Sequence, residues 1–304
     1  MLDLERLGVQ MSTSTSNDFR DQYGWDGALL DLESYCQRIG YDGPREPTLA
    51  TLRALMRAHA STIPFENIDV LLGRELLLDV ASLHDKMVTR HRGGHCYEHN
   101  TLFAAVLERL GFPLTAVGAR IMHSPDPEKL RAINHSALLV SIGQRRYVVD
   151  VGMGMGPEEP VELSDGEVIT AESGWIYGVE QLNEHQWALR YWDGRQWVYM
   201  NQFALTPVYR VDYHDGNFVT QYRPYSPFRK SFVVGMSHEG QHCDLTGLTF
   251  SRTNPDGTKD SRTVTPKDIP DLLVEVFGIA LTEDEKPKLV SVAQDTAEQA
   301  HTDG

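Results

Sequence analysis

The chain is predicted to fold as an α+β protein in which helices lead and strands follow. Three observations predict this. Up to Gly111 apolar residues recur at helical spacing: Leu49, Leu52, Leu55, Met56 and His59 form one stripe, and Leu102, Phe103, Val106, Leu107 and Leu110 form another. From Thr115 the pattern changes to short apolar runs broken by Gly, Pro and Asp, as at 137–140, 187–192 and 196–199. Beyond Arg223, two strand-like runs at 231–234 and 248–250 precede a helical stretch at 269–277.

Taken in order, residues 1–26 read as a polar N-terminal extension, rich in Ser, Thr and Asp and loosely ordered. Residues 27–113 read as a helical domain. Within it Cys36 shares a helix face with Leu32, Tyr35 and Ile39, so it is expected as a small core residue. Residues 114–222 read as a β-rich domain, with hairpin turns at Gly143-Gln144 and Asp193-Gly194. Residues 223–286 form a third, α/β region, and 287–304 a polar tail.

Composition narrows the function. A chain of 304 residues can bury a substantial core. Its net charge of −15 argues against a general phosphate-backbone binder, so no nucleic-acid partner is expected. Arg90, Arg92, Arg120, Arg145 and Arg146 could meet an anionic cofactor, but each reads first as a solvated surface charge. Three cysteines far apart in sequence do not make a disulfide framework, and no apolar run is long enough to span a membrane. A reducing, cytoplasmic setting is expected.

The chemistry concentrates at Arg92-Gly93-Gly94-His95-Cys96-Tyr97-Glu98. A glycine turn here runs into an amphipathic helix, and Gly93 and Gly94 permit close backbone approach. A thiol at a helix N-terminus feels the positive end of the macrodipole, which favours the reactive thiolate. A lone cysteine at a helix start is more often structural than catalytic, so the partners decide. A nucleophile needs a base, and the base an orienting group. His135 opens a strand-like run, and Asp150 interrupts the apolar run of the next. If Gly143-Gln144 is a two-residue turn, Asp150 lies opposite Ala137, on the same face as His135 and diagonal to it. The carboxylate would then hold the imidazole for Cys96.

His91, His95, Cys96 and His99 invite a metal reading, because His95 and His99 are one helical turn apart. No second cysteine or carboxylate pair completes a site at recognised spacing, so no metal is expected. His91 and His99 read as surface or polar-contact residues. Glu98, in the first helical turn, reads as structural support paired with Arg92.

These residues carry a resemblance. The chain resembles the arylamine N-acetyltransferases in four blocks: Pro47-Thr48-Leu49, Ile63-Pro64-Phe65-Glu66-Asn67-Ile68-Asp69, the cysteine block, and Val149-Asp150-Val151-Gly152. They stand in the family's order and span roughly residues 28–155, with a weaker match at Phe277-Gly278-Ile279. The resemblance implies a cysteine-protease-like scaffold: an N-terminal helical domain, a β-barrel-like domain and a C-terminal α/β lid. It implies Cys96, His135 and Asp150 as a catalytic triad. The implied reaction is a ping-pong transfer from acetyl-coenzyme A to an arylamine, arylhydroxylamine or hydrazine.

The chain departs from the family at His95, usually aromatic and apolar, and at Met153-Gly154, usually Phe-Gly. The resemblance makes Phe65, His95 and Met153 candidate substrate-binding residues, although Phe65 serves equally as core packing. Gly152 and Gly154 are candidates for close cofactor approach, or merely turn the chain. Two alternatives share the same residues. One is an amide synthase closing a macrolactam, separated by coenzyme A dependence; the other is a papain-like or transglutaminase-like hydrolase.

Overall fold

The structure is a computed structural model that describes residues 23–224, 226–238 and 240–302. Most of the N-terminal extension expected at 1–26 lies outside the described residues.

The leading helices are α1 (Leu32–Arg38), α2 (Leu49–Thr62), α3 (Ile68–Leu71), α4 (Val80–His84) and α5 (Cys96–Arg109). Short polar side chains start three of them. Asp31, Thr48 and Asp79 accept the backbone N–H three residues on, at 3.1, 3.2 and 2.9 Å. The expected stripe of α2 is buried at Leu52, Leu55, Met56 and His59, while Leu49 is partly buried. Cys36 joins the same core, as its helix face predicts. α5 is buried along nearly its whole length, from Cys96 to Leu107.

An antiparallel sheet follows: β1 (Leu114–Ser124), β2 (His135–Ile142), β3 (Arg145–Val149), β4 (Val161–Glu162), β5 (Val168–Thr170), β6 (Ile176–Gln181), β7 (Trp187–Trp192) and β8 (Trp197–Val208). Its strand order is β4-β3-β2-β1-β8-β7-β6-β5, and it curls until β4 lies against β6. In β2, Ala137 and Leu139 face the interior of the curl, while Leu138 and Val140 pack on α5. Burial on both faces explains why 137–140 reads as a continuous apolar run rather than an alternation. Both expected hairpins form: Ile142 pairs with Arg145, and Trp192 with Trp197. Gly143 takes the left-handed φ of +60° that the tighter turn requires.

The chain then departs from the sequence reading. Residues inside the β-rich stretch form α6 (Arg210–Tyr222). Its buried side chains are mostly polar (Asn217, Thr220, Gln221 beside Tyr213), and Val211 and Phe218 face solvent. The apolar stripe that advertises a helix is therefore inverted.

The last layer is a four-stranded antiparallel sheet, β9 (Val233–His238), β10 (Gln241–Thr246), β11 (Thr249–Thr253) and β12 (Lys259–Thr263), in the order β12-β11-β10-β9. The expected helix near 269–277 is α7 (Ile269–Glu275). The polar stretch after Pro287, expected as a tail, is instead part of α8 (Glu285–Thr302), with Leu289 and Ala293 buried in the core of this layer. Its Ala, Glu, Gln and Lys content favours a helix, and two buried residues one turn apart suffice to dock it.

Candidate active site

The nucleophile turn is built by backbone contact. A Cβ on Gly93 would collide with the Pro64 carbonyl oxygen, so only glycine lets the turn approach the 63–69 loop. Glu66 N–H donates to Gly94 O at 2.8 Å, and Gly94 N–H donates to Pro64 O at 3.3 Å. Glu98 then reaches back to accept the His95 backbone N–H at 2.9 Å, satisfying one orphan donor at the start of α5. Cys96 is thus the first residue of a fixed helix terminus, with its sulfur 4.0 Å from the Asn134 carbonyl oxygen.

The strand register runs to Leu138↔Val149, and Asp150 follows directly at the end of β3, beside His135 as the turn predicts. The His135 Nε2 and an Asp150 carboxylate oxygen are 2.6 Å apart, and both residues are buried. Asp150 also accepts from Asn100 Nδ2 at 3.1 Å, Gly152 N–H at 3.0 Å and Asn201 Nδ2 at 2.9 Å. A buried carboxylate with four donors is held in one orientation. Burial opposes a charged His135, but the Asp150 charge and hydrogen bond, with Cys96 beside it, outweigh this and raise its pKa to about 10. The other ring nitrogen, Nδ1, is buried without a hydrogen-bond partner of its own.

Beneath the turn lies an ion cluster. Lys86 bridges Glu98 at 2.8 Å and Asp69 at 3.1 Å. Arg92 meets Glu66 and Asp69, each at 3.3 Å, and Glu285 of α8 at 3.1 Å. Burial disfavours ionised Asp69, but Lys86 and Arg92 overcome it and hold the carboxyl at about 2. Two expectations are corrected here. Arg92 is only 2% exposed and is not a solvated surface charge, and Glu98 pairs with Lys86 rather than Arg92. Both corrections have one cause: the partners come from α3, a π-helical turn at 85–89 and α8, which only the fold brings together.

The candidate binding residues separate into two groups. Phe65, Met153 and Gly154 line one small pocket with Asp150, Gly235 and Met236. His95 is elsewhere: its imidazole is fully buried, with Nε2 at 2.9 Å from Asn217 Oδ1 of α6. Gly152 and Gly154 face protein on the side where a Cβ would stand. At Gly152 that position is 2.6 Å from Asn100 Nδ2 and 2.9 Å from Cys96 Cα; at Gly154 it is 2.9 Å from Gly235 Cα. Both glycines are used for packing of chain on chain.

Sequence reasoning missed Asn100 and Asn201. Asn100 stands one helical turn after Cys96, and besides Asp150 it binds Ser136 O at 2.7 Å and Val151 N–H at 3.3 Å. It ties the nucleophile helix to both strands. Asn100 sits in the polar run Glu98 to Thr101 and gives no contrast with its neighbours; in β8 the available signal was Asn201-Gln202 interrupting an apolar strand.

A thiol at a helix terminus, an imidazole with one free nitrogen and a buried carboxylate form a series suited to thiol-dependent acyl transfer. Comparison with known proteins agrees. A family model described as N-acetyltransferase matches residues 48–286. The arylamine N-acetyltransferase of Mycolicibacterium smegmatis is 33% identical over 257 residues, covering 83% of this chain and 93% of that protein. The Escherichia coli K12 arylamine N-acetyltransferase is 32% identical over 259 residues, covering 82% and 89%. The crystal structure of the Nocardia farcinica arylamine N-acetyltransferase superposes with a TM-score of 0.83 at 39% identity, covering 88% of this chain and 96% of that one. The Mycobacterium marinum arylamine N-acetyltransferase in complex with CoA gives 0.80 at 30%, covering 86% and 98%. The chain belongs to the arylamine N-acetyltransferase family.

Proposed function

We propose that this protein transfers an acetyl group from acetyl-coenzyme A to an arylamine, arylhydroxylamine or hydrazine through an acetyl-Cys96 intermediate. The observation that carries the roles is the 2.6 Å His135–Asp150 pair, whose remaining imidazole nitrogen has no partner except the neighbouring cysteine. An imidazolium beside a thiol favours thiolate. The sulfur attacks the thioester carbonyl, the C–S bond to coenzyme A breaks, and His135 gives its proton to the departing thiolate. The backbone N–H of Cys96, without an intrahelical acceptor at this position, helps hold the oxyanion. In the second half-reaction the neutral amine attacks the acetyl-cysteine, and His135 takes the amine proton as Cys96 leaves. Asp150 keeps the ring oriented throughout.

In this reading Phe65 and Met153, which line a small pocket beside Asp150, form one wall of the acceptor site. The fold reads as a cysteine-protease-like scaffold, with a helical domain (27–113), a barrel-like domain (114–222) and a lid (223–286). Three free thiols among the described residues fit a reducing, cytoplasmic setting. The test is intact-protein mass spectrometry after incubation with acetyl-coenzyme A and no acceptor, followed by peptide mapping. One acetyl group on Cys96 is expected. A label on another residue, or none, would remove the covalent mechanism.

A further inference from the structure

Three buried polar side chains of the helical layer take no part in this chemistry. Tyr35 of α1, His59 of α2 and His99 of α5 are each at most 1% exposed. Tyr35 Oη lies 2.8 Å from His59 Nδ1, His59 Nε2 lies 2.8 Å from His99 Nδ1, and His99 Nε2 lies 3.1 Å from Pro64 O.

The last acceptor fixes every proton. A carbonyl only accepts, so His99 carries its hydrogen on Nε2 and must accept at Nδ1. His59 therefore donates from Nε2 and accepts at Nδ1, where Tyr35 donates its hydroxyl hydrogen. All donors and acceptors of the two rings are used. Burial keeps both rings neutral: His99 is lowered to about 4, and His59 well below its ordinary value. Apolar residues would fill this space without the cost of burying polar groups, so the chain has a directional task.

Its endpoint shows the task. Pro64 O also receives the Gly94 N–H and is the atom against which Gly93 packs. The next residue, Phe65, exchanges both backbone hydrogen bonds with Gly235, at 2.8 and 2.9 Å. Its ring stacks parallel to His99, with centroids 6.3 Å apart and planes 10° apart. His99 is three residues along α5 from Cys96. It is the side-chain tie between the nucleophile helix and the Phe65 wall.

We propose that Tyr35, His59 and His99 are positioning residues: a tautomer-locked relay that sets the Phe65 wall of the acceptor pocket relative to Cys96. This rests on the reading of Phe65 as a wall of the acceptor site. The relay acts on the second half-reaction, where the amine must be aimed at the acetyl-cysteine. His135 and Asp150, which serve both half-reactions, are held separately, by β2, Asn100 and Asn201.

The two half-reactions are measured separately, as coenzyme A release without acceptor and as decay of acetyl-Cys96 against arylamine concentration. His99→Leu should raise the acceptor KM about tenfold, less than the roughly 10²-fold cost of a 1 Å misplacement at the reacting atoms. Acetylation of Cys96 should slow by at most about twofold. His99→Gln should restore the acceptor KM to within about twofold of wild type, because its amide can accept from His59 and donate to Pro64 O. Nitrogen-15 NMR of the wild type should find both rings protonated on Nε2. The relay is overturned if His99→Gln is as impaired as His99→Leu, if the KM does not move, or if either ring carries its proton on Nδ1. A wild-type protein that takes no acetyl group would overturn the acyltransferase reading, while the ring tautomers would still decide the relay.

Discussion

His135 meets Asp150 through Nε2 at 2.6 Å, which leaves Nδ1 of this buried ring without a hydrogen-bond partner while Cys96 stands close enough to help hold the imidazolium. The carboxylate is itself fixed by Asn100, Asn201 and the Gly152 backbone. Charge stabilisation and orientation therefore come from the same residue.

Asp150→Asn keeps the shape and removes the charge. Iodoacetamide alkylation of Cys96 at neutral pH should slow by about 10²-fold, within the range for losing a positioned acid–base group. An unchanged pH profile of alkylation in a folded variant would make Asp150 structural and assign another group to orient His135.

The same pair predicts how stability depends on pH. His135 is raised from 6.5 to about 10 in the fold, so its charged form binds the native state more tightly. That contribution is complete below about 6.5 and is lost as pH rises through about 10. Wild-type melting temperature should fall over this window, and Asp150→Asn should show a shallower slope. Equal slopes would mean that His135 is not held as the imidazolium.

Replacing His135 by Ala removes the proton carrier. The rate of Cys96 acetylation in stopped flow should drop roughly 10² to 10⁴-fold. A near-wild-type rate in a folded protein would take His135 out of the mechanism.

Lys86→Met tests the ion cluster. The lysine is almost wholly buried between Glu98 and Asp69, and its loss strands the Glu98 charge while Asp69 keeps Arg92 and Arg74. Urea unfolding should show a loss of about 3–5 kcal/mol, as for breaking a buried pair from one side. Asp69 is depressed from 3.8 to about 2, so its contribution is present above about 3.8 and disappears as pH falls through about 2. A variant as stable as wild type at neutral pH would mean that the cluster's desolvation cost cancels its attraction.

Gly152→Ala places a methyl group 2.6 Å from Asn100 Nδ2 and 2.8 Å from Cys96 O. Overpacking should cost about 1–3 kcal/mol, and the shifted helix terminus should slow Cys96 alkylation. If unfolding and alkylation both match wild type, the loop has room to yield and Gly152 does not position the nucleophile.

The sequence by itself determined the parts that depend on near neighbours. A glycine turn before an apolar stripe defines a helix start, and that put Cys96 at the N-terminus of α5. A two-residue turn with glycine first sets a strand register, and that put Asp150 within reach of His135. The period of the apolar residues changes near Thr115, and that separated helices from strands. Tertiary structure alone decided what depends on partners far along the chain. Arg92 looked like a surface charge until Glu285, 193 residues away, closed on it. α6 hid because it buries amides instead of a stripe, and α8 because two side chains dock it. His99 gave no sign of its direction, since a tautomer is set by what stands at both ends of the ring. Local pattern fixes where a side chain starts; its protonation, pairing and burial belong to whatever the fold brings against it.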